Sequence, residues 1–445
     1  MLFASLVFYS WGEGEIVLVM IASIIIFFFF ALIIDIGFRR TGIVFSVITS
    51  LSFLIYFKYA NFAFGNFNEL LRILHLSNRN VINLPHIALP IGISFYTFKI
   101  LSYTIDVYRG NVKPTRNLIQ FATYVTMFPY LIAGPIVRYI DINKQLVSRT
   151  ISLKKFTEGI ERFIIGLVKK VIFANTFAIV ADEIFNFDLS QISAASAWIA
   201  ISAYTFQIYF DFSGYSDMAI GMGKMMGFDF PENFNYPYIA KSIKEFWRRW
   251  HISLSTWFRD YLYIPLGGNR VGNIRLYFNL IFVFFITGLW HGASWNFIIW
   301  GSFHGFFLLI ERTIFGKILN KLWAPIAHIY TLMVVMTGWV FFRAGNLHYA
   351  AGFLKTMFGA GNGEAAYRIS KYFNMELCLV LLLAVLFSTP VYHKFLLYFS
   401  NIKRRYDFSV GILKVLYFFI LFMSFIFVSA YLSAGTYNPF IYFRF

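Results

Sequence analysis

The sequence predicts an all-α, polytopic membrane protein, and two observations lead to this fold class. Hydrophobic residues make up 59% of the 445 residues and charged residues only 13%, which gives a mean hydropathy of +0.66. Ordinary soluble domains are about half apolar and about a quarter charged. Apolar segments also recur along the whole chain, so we expect a single integral membrane domain over residues 1–445.

Runs with few or no charged residues are the candidate membrane segments. A helix needs roughly 20 apolar residues to cross a bilayer, and because some runs are shorter and others could cross twice, we expect about ten to twelve crossings. Proline and glycine interrupt the third and fourth runs, which we therefore expect to line an internal cavity rather than to face lipid. The runs are residues 16–34, 43–57, 87–98, 117–137, 163–181, 189–210, 276–310, 322–342, 377–392 and 415–443.

Charge and cysteine content narrow the possible partners. We expect the net charge of +17 to reflect cytoplasmic loops beside an anionic leaflet, and not nucleic-acid binding. Basic clusters at 39–40 and 403–405 border apolar runs, so the positive-inside rule places both in the cytoplasm and the aromatic tail 433–445 outside. The same rule places the basic loop 241–275 in the cytoplasm. The single cysteine, Cys378, excludes an internal disulfide and a thiolate metal cage.

The tripeptide Trp290-His291-Gly292 lies in an apolar stretch, residues 276–303, without lysine, arginine, aspartate or glutamate. An imidazole is costly to keep in a membrane segment, which favours a functional role. Neutral imidazole can accept a proton from a hydroxyl near neutral pH, so His291 is a candidate general base. The alternative is a buried histidine that bonds a neighbouring helix. We expect no metal site, because no HExxH pattern exists and His304 is not expected to share a ligand with His291.

A second histidine, His251, lies in a basic, tryptophan-rich run. If this run is a helix, Trp247, His251 and Ser255 share one face, and Arg248 and Arg259 point alike because they are about three turns apart. The pattern predicts a surface that binds the phosphate or pantetheine group of a donor, with His251 near the reacting thioester. The alternative is an amphipathic interfacial helix whose tryptophans and arginines anchor it at headgroup level.

The run 209–238 contains Asp211 and Asp217 beside or inside an apolar span. Because they are six residues apart, we expect them to face opposite sides of a continuous helix, which excludes a glycosidase pair. A structural hydrogen-bonding role is expected for at least one of them. Small residues in this run predict close helix packing: Gly214, Ala219, Gly221 and Gly223.

Five segments closely resemble the membrane-bound O-acyltransferases, in the branch that serves bacterial polysaccharides such as alginate and peptidoglycan. The resemblance covers most of residues 10–345, and its motifs are long and specific. It implies a ring of membrane helices around a thin central wall, with a tunnel that joins the two faces. The segments are PIGISFYTFK (90–99), FPYLIAGPIVR (128–138), residues 209–238, EFWRRWHISLSTWFRDYLYIPLGGNR (245–270) and TGLWHGASWNFIIWGSFHG (287–305).

The resemblance also implies roles and partners. His291 is similar to the principal catalytic histidine of the family, and His251 to its second. We expect Trp290 and Asn296 to be polar groups of the tunnel or of its support. The donor implied is acetyl-CoA, which enters from the cytoplasm, and no tightly bound cofactor is expected. The protein would be a multi-pass protein of the bacterial inner membrane. It would act on a polysaccharide through an extracytoplasmic, serine-hydrolase-like O-acetyltransferase, with membrane lipid around it.

The last residues of the sequence, Phe440 to Phe445, have the pattern F-x-Y-x-x-F. This pattern resembles the C-terminal motif of the small membrane peptide of teichoic-acid D-alanylation, which implies that Tyr442 carries the acyl group briefly. The alternative is an aromatic belt, since tyrosine and phenylalanine gather at membrane interfaces.

Three other functions remain open from the residues. The chain could transfer a D-alanyl group from a carrier protein, or it could acylate a lipid. A tunnel with intramembrane aspartate and histidine could instead serve a proton-coupled transporter. A transporter would move its substrate without breaking a thioester.

Overall fold

The computed structural model describes residues 1–76, 87–361, 363–364, 369–391, 408–435 and 439–441, with side chains of the last long helix described from residue 415. Within these residues the chain forms α-helices with short 3₁₀ and π-helical turns and no strand, so the predicted all-α class is confirmed. The described α-helices are α1 Leu2–Glu13, α2 Val17–Asp35, α3 Arg39–Leu54, α4 Ala60–Ile73, α5 Ile93–Arg109, α6 Leu118–Thr126, α7 Tyr139–Val147, α8 Leu153–Val168, α9 Asn175–Phe185, α10 Ala194–Met225, α11 Ile243–Arg249, α12 Ile252–Phe258, α13 Asn273–His291, α14 Trp295–Ile310, α15 Ile314–Leu319, α16 Ala324–Arg343, α17 Leu347–Met357, α18 Met375–Phe387 and α19 Phe408–Ser433.

Within the described ranges, six helical stretches are long and apolar enough to cross a membrane. Helices α14 and α18 are also apolar but shorter. The protein is therefore a multi-pass membrane protein, while the number of crossings stays a prediction. The six stretches are Leu2–Asp35, Arg39–Ile73, Leu153–Phe185, Asn273–His291, Ala324–Arg343 and Val415–Ser433.

Helix α10, which has 32 residues, lies at the centre of the larger apolar core and packs against α8, α9, α16 and α17. Glycines let α8 and α10 approach closely. A Cβ atom added at Gly166 would lie 2.5 Å from the carbonyl oxygen of Gly214, and one at Gly221 would lie 2.6 Å from that of Gly159. The close packing predicted from Gly214 and Gly221 is therefore present.

Both aspartates of α10 bind the segment that continues α8. Asp217 accepts hydrogen bonds from Arg162 Nε at 2.7 Å and Lys169 Nζ at 2.6 Å, and Asp211 pairs with Lys170 Nζ at 2.6 Å. The expectation that the two carboxylates face opposite sides of the helix is wrong. Residues six apart differ by only about 120° around a helix, and the long side chains on the neighbouring segment reach both positions. These contacts agree with a structural role.

Helices α13 and α14 form a tight hairpin that positions His291. A Cβ atom added at Gly288 would lie 2.2 Å from the carbonyl oxygen of Phe297, and one at Gly301 would lie 2.2 Å from that of Phe284. The two backbones are therefore in contact. The turn between them holds the last residue of α13 beside the first turns of α14.

Candidate active site

His291 is the last residue of α13 and lies in an aromatic environment. Its ring centroid is 4.9 Å from that of Trp290, 4.9 Å from that of Trp300 and 5.3 Å from that of Phe342. The side chain is 7% exposed, so few water molecules can compete for the imidazole. The helix ends here at Gly292, where a Cβ atom would lie 2.2 Å from the ring of Phe297. This setting suits a neutral imidazole that accepts a proton from a substrate hydroxyl.

His251 does not lie within a helix, because α11 ends at Arg249 and α12 begins at Ile252. Its φ angle is +44°, in the left-handed region that non-glycine residues seldom adopt. The expectation that Trp247, His251 and Ser255 share one helical face is therefore wrong. The chain turns at His251, which buries the imidazole completely while Trp247 and Ser255 face a cavity. Backbone strain of this kind is often kept at functional sites.

A hydrogen-bond network determines the tautomer of His251. Asn233 Oδ1 accepts the backbone N–H of Ser253 at 3.3 Å and the Ser253 hydroxyl at 2.9 Å, which identifies this atom as the amide oxygen. His251 Nδ1 lies 3.0 Å from the same oxygen and therefore donates its proton. In the neutral ring Nε2 then carries the lone pair, and it has no hydrogen-bond partner among the described residues.

The indole of Trp290 links the two histidines. Its ring centroid lies 6.1 Å from that of His251 and 4.9 Å from that of His291. His251 is outside the six membrane-crossing stretches, and burial lowers its pKa to about 3. It is therefore uncharged at neutral pH. The structure thus brings both predicted catalytic histidines into one buried aromatic cluster.

A cavity of about 350 Å³ approaches this cluster along α13. Its apolar wall runs up α13 from Leu280 to Thr287, and Trp247 closes it from α11. Thr287 is one helical turn before His291. Neither histidine lines the cavity itself. Two indoles connect the cavity to His291: the ring centroids of Trp247 and Trp300 are 5.7 Å apart, and the Trp300 ring packs against His291. The volume lies within the range of roughly 300–1,000 Å³ that is typical of ligand pockets.

The wall of the cavity also carries four exposed basic side chains: Lys244, Arg248, Arg259 and Arg312. The structure thus brings together Arg248 and Arg259, although the continuous helix assumed for them is absent. Ser255, also predicted for donor binding, lines the same wall. Arg259 bonds Asp260 at 2.7 Å, whereas Arg248 has no ion pair with any described residue. The cavity therefore combines guanidinium groups with an apolar interior.

Glu311 is the acidic residue of the same cavity. Its carboxylate accepts the backbone N–H groups of Ile243 at 2.5 Å and Lys244 at 2.9 Å, which the first turn of α11 leaves without helical partners. Burial raises the pKa of Glu311, and the two N–H groups oppose that shift. Glu311 thus holds α11 against α14 while the basic side chains remain available.

Trp290 and Asn296, the two other residues predicted to belong to the tunnel or to its support, lie in different surroundings. Trp290 belongs to the histidine cluster, and its indole Nε1 has no hydrogen-bond partner among the described residues. Asn296 donates its amide to the carbonyl oxygen of Ala344 at 2.5 Å, and so ties α14 to the end of α16. Asn296 therefore supports the hairpin and does not line the cavity.

The last described residues pack against α10. Tyr442, the predicted acyl relay, lies outside the described residues, but the residues before it are buried in the core. Ile441 N–H donates to Asp211 at 2.7 Å. The ring of Phe440 lies 6.1 Å from that of Phe212, which in turn lies 4.7 Å from the ring of His251. Phe440 and Ile441 thus lie close to the histidine cluster.

Sequence reasoning missed two residues that contact the histidines. Asn233 lies in the quoted run 209–238, but nothing in a single sequence connects it to His251. Lys58 Nζ, on the π-helical turn between α3 and α4, bonds the backbone carbonyl of Trp290. A lone lysine at the end of an apolar run is a signal that could have identified it.

Comparison with known proteins identifies the family of this chain. A family model described as MBOAT, membrane-bound O-acyltransferase family, matches residues 72–341, which is more than half of the chain. The chain is 42% identical to a probable alginate O-acetylase, AlgI, of Pseudomonas putida, over 100% of this chain and 94% of that protein. It is 38% identical to a peptidoglycan O-acetyltransferase of Helicobacter pylori, over 83% of this chain and 75% of that protein.

A third relative is a teichoic acid D-alanyltransferase of Bacillus subtilis, which is 31% identical over 58% of this chain and 70% of that protein. These relatives transfer different acyl groups, and all are named for acyl transfer. By the family match and the relative that aligns over the whole of this chain, the chain belongs to the membrane-bound O-acyltransferase family and is an O-acyltransferase.

Proposed function

We propose that this protein transfers an acetyl group from cytoplasmic acetyl-CoA, across the bacterial inner membrane, for the O-acetylation of an extracytoplasmic polysaccharide. One observation carries the proposal: a cavity with basic side chains on its wall ends one helical turn from a buried histidine. The similarity to relatives named for the O-acetylation of alginate and peptidoglycan supports acetyl as the transferred group and a polysaccharide as the final acceptor.

The cavity matches the two ends of an acyl-CoA. Guanidinium groups of Arg248 and Arg259 suit phosphates, which they can bind with two parallel hydrogen bonds. The apolar wall between Leu280 and Thr287 suits the uncharged arm that carries the thioester. A donor oriented in this way would point its acetyl group toward Trp247 and the histidine cluster.

The chemical step requires one base and one leaving group. His291 removes the proton from the acceptor hydroxyl as its oxygen attacks the thioester carbonyl. The new C–O bond forms, the C–S bond breaks, and the departing thiolate takes the proton from the imidazolium. His251, held in the Nδ1–H tautomer by Asn233, presents Nε2 inside the same cluster. We assign it the role of orienting the donor.

The proposed acceptor is the phenol of Tyr442, or directly a serine of an extracytoplasmic, serine-hydrolase-like enzyme that acetylates the glycan. The burial of Phe440 and Ile441 next to Phe212 supports a tail that returns to the histidine cluster. The tail would enter from the extracytoplasmic side. No tightly bound cofactor is needed for this chemistry.

D-alanyl transfer is a second candidate, favoured by the similarity to the Bacillus subtilis relative. The two candidates differ in the donor. Purified protein in detergent would be supplied either with labelled acetyl-CoA or with a D-alanyl carrier-protein thioester. We expect it to cleave the thioester of acetyl-CoA, in a reaction that requires His291. Turnover with the D-alanyl thioester alone would exclude acetyl-CoA as the donor.

Charge reversal at both cavity arginines, Arg248→Glu with Arg259→Glu, is expected to raise the apparent KM for acetyl-CoA about 10- to 100-fold. The reason is the loss of charge-assisted bonds to phosphate, which for two exposed and solvent-screened guanidinium groups amounts to about 1.4–2.8 kcal/mol in total, at 1.4 kcal/mol for each factor of ten. The acceptor KM should change little. Steady-state titrations of donor and acceptor measure both constants.

A matched control reverses Arg270 and Arg275, two exposed arginines of the same basic segment that do not line this cavity. The control changes the net charge by the same amount and should leave the donor KM near the wild-type value. An unchanged donor KM in the Arg248/Arg259 variant would remove these residues from the donor site. Equal effects in both double variants would indicate a general charge effect instead.

A further inference from the structure

The last turn of α13 has three backbone carbonyls that need partners from outside the helix. The oxygens of Leu289, Trp290 and His291 follow the final helical hydrogen bond, in which Gly292 N–H donates to Gly288. Carbonyls at a helix end are costly to bury without hydrogen-bond donors. The hydrogen-bond donors that reach these three carbonyls therefore determine how firmly the backbone of His291 is held.

One short segment supplies all three partners. Tyr59 donates its hydroxyl to the carbonyl of Leu289 at 2.7 Å. Lys58 Nζ bonds the carbonyl of Trp290 and lies 3.5 Å from that of His291. These two consecutive side chains reach the same helix end because they belong to a π-helical turn, Ile55–Tyr59. Such turns are rare and occur often at functional sites.

The third bond of Lys58 goes to Ser94 Oγ, at 3.0 Å. An ammonium group has three N–H donors, and here each meets a neutral oxygen. No described carboxylate forms an ion pair with Lys58. Its Nζ instead lies at the C-terminal end of α13, which is the negative end of the helix dipole, and 5.8 Å from the centroid of the Trp290 ring. A lysine placed in this way in a membrane segment favours a functional role over a solvated one.

We infer that Lys58 is a positioning residue, which holds the backbone of His291, and with it the imidazole, in the orientation required for proton removal. This inference rests on the proposed role of His291 as the general base. Without the ammonium group, the last turn of α13 would lose two of its three outside donors. A shift of about 1 Å in a catalytic group can cost about 10²-fold in rate. The donor cavity is built from other residues, so donor binding should persist.

Lys58→Met tests the inference, since methionine keeps most of the side-chain length and removes the donors. We expect kcat to fall about 10- to 100-fold, with the donor KM within about twofold of wild type. Lys58→Arg, which keeps charge and donors, should recover part of kcat. Tyr59→Phe removes the bond to Leu289 alone and should have a smaller effect. Steady-state kinetics on monodisperse protein in detergent gives all these values.

Lys169→Met is the matched control. Lys169 also lies on a π-helical turn, Lys169–Ala174, but its Nζ bonds the carboxylate of Asp217 and not the end of α13. Thermal unfolding should show lower stability for this variant, while kcat per folded molecule stays at the wild-type value. If Lys58→Met lowers activity only in proportion to the folded fraction, as a purely structural lysine would, the inference is overturned.

His291→Ala, assayed beside these variants, separates the two proposals. If His291→Ala is inactive and Lys58→Met has the wild-type kcat, only the positioning role fails. If His291→Ala stays active, the proposed function of the histidine fails first. Should Lys58→Met not fold, Lys58→Gln, with a shorter amide donor, replaces it and should also lower kcat at constant donor KM. A wild-type kcat in that variant would overturn the inference.

Discussion

Replacing His291 with alanine is expected to reduce acetyl transfer about 10²- to 10⁴-fold, which is the usual contribution of a general base. The imidazole lies at the end of α13 in an aromatic environment, one helical turn beyond the cavity wall. The rings of Trp290, Trp300 and Phe342, which pack against it, cannot replace it as a base. The measurement is thioester turnover by purified protein with labelled acetyl-CoA and acceptor.

Expression, monodispersity and thermal unfolding of His291→Ala should resemble those of wild type, so that the loss can be assigned to chemistry. His251→Ala should be impaired less, because His251 orients the donor in this mechanism. His304→Ala is a useful control, since His304 is also buried and also contacts Trp300. Turnover near the wild-type rate in His291→Ala would remove this residue from the mechanism.

Tyr442→Phe is expected to block acetylation of the extracellular glycan and to leave donor binding at the cavity intact. Phenylalanine keeps the apolar contacts of an interfacial residue and removes only the hydroxyl. A tyrosine that only belongs to an aromatic belt at the membrane interface tolerates this change, whereas a tyrosine that carries the acyl group does not. Since a free phenol has a pKa of about 10, it needs a base to attack, and His291 supplies one.

Glycan-bound acetate in cells, measured after mild alkaline release, reports this result. Tyr437→Phe is the matched control, because it removes a phenol from the same tail and should leave acetylation unchanged. Wild-type acetylation in Tyr442→Phe would show that the acetyl group passes directly from the histidine cluster to the partner enzyme.

Residue types and their order along the chain predicted the fold class and the main candidates. Apolar runs identified the membrane helices, and an imidazole in an uncharged stretch identified His291. Local patterns of this kind depend on burial and on the helical repeat, which a single sequence displays directly.

The geometry around His251 was not predictable in the same way. The helical repeat suggested one continuous face, but the left-handed backbone at His251 breaks the helix between α11 and α12. Bonds to Asn233, which lies 18 residues earlier in the sequence and outside both helices, accompany that conformation. The contacts of Lys58 with the end of α13 join segments more than 200 residues apart, with a sequence separation of 232 for the bond to Trp290. Long-range contacts of this type leave no periodic pattern in the sequence.

The contacts of the two aspartates of α10 also differ from those expected from the sequence. Their spacing predicted opposite faces, yet Asp211 and Asp217 both bind basic residues of one neighbouring segment. The charges of Lys169, Lys170 and Arg162 compensate two carboxylates that would otherwise be costly inside a membrane protein. Asp211 also receives the backbone of the tail, which sequence spacing alone could not indicate.

Sealed proteoliposomes can show whether the acetyl group crosses the membrane through this protein. Protein oriented with the basic cavity outward would receive labelled acetyl-CoA in the external buffer, while the partner enzyme and acceptor glycan are enclosed in the lumen. Transfer across the membrane predicts that labelled acetate accumulates on the enclosed glycan with the wild-type protein and not with His291→Ala. If label reaches glycan only when donor and acceptor are on the same side of the membrane, the protein does not transfer the acetyl group across the bilayer.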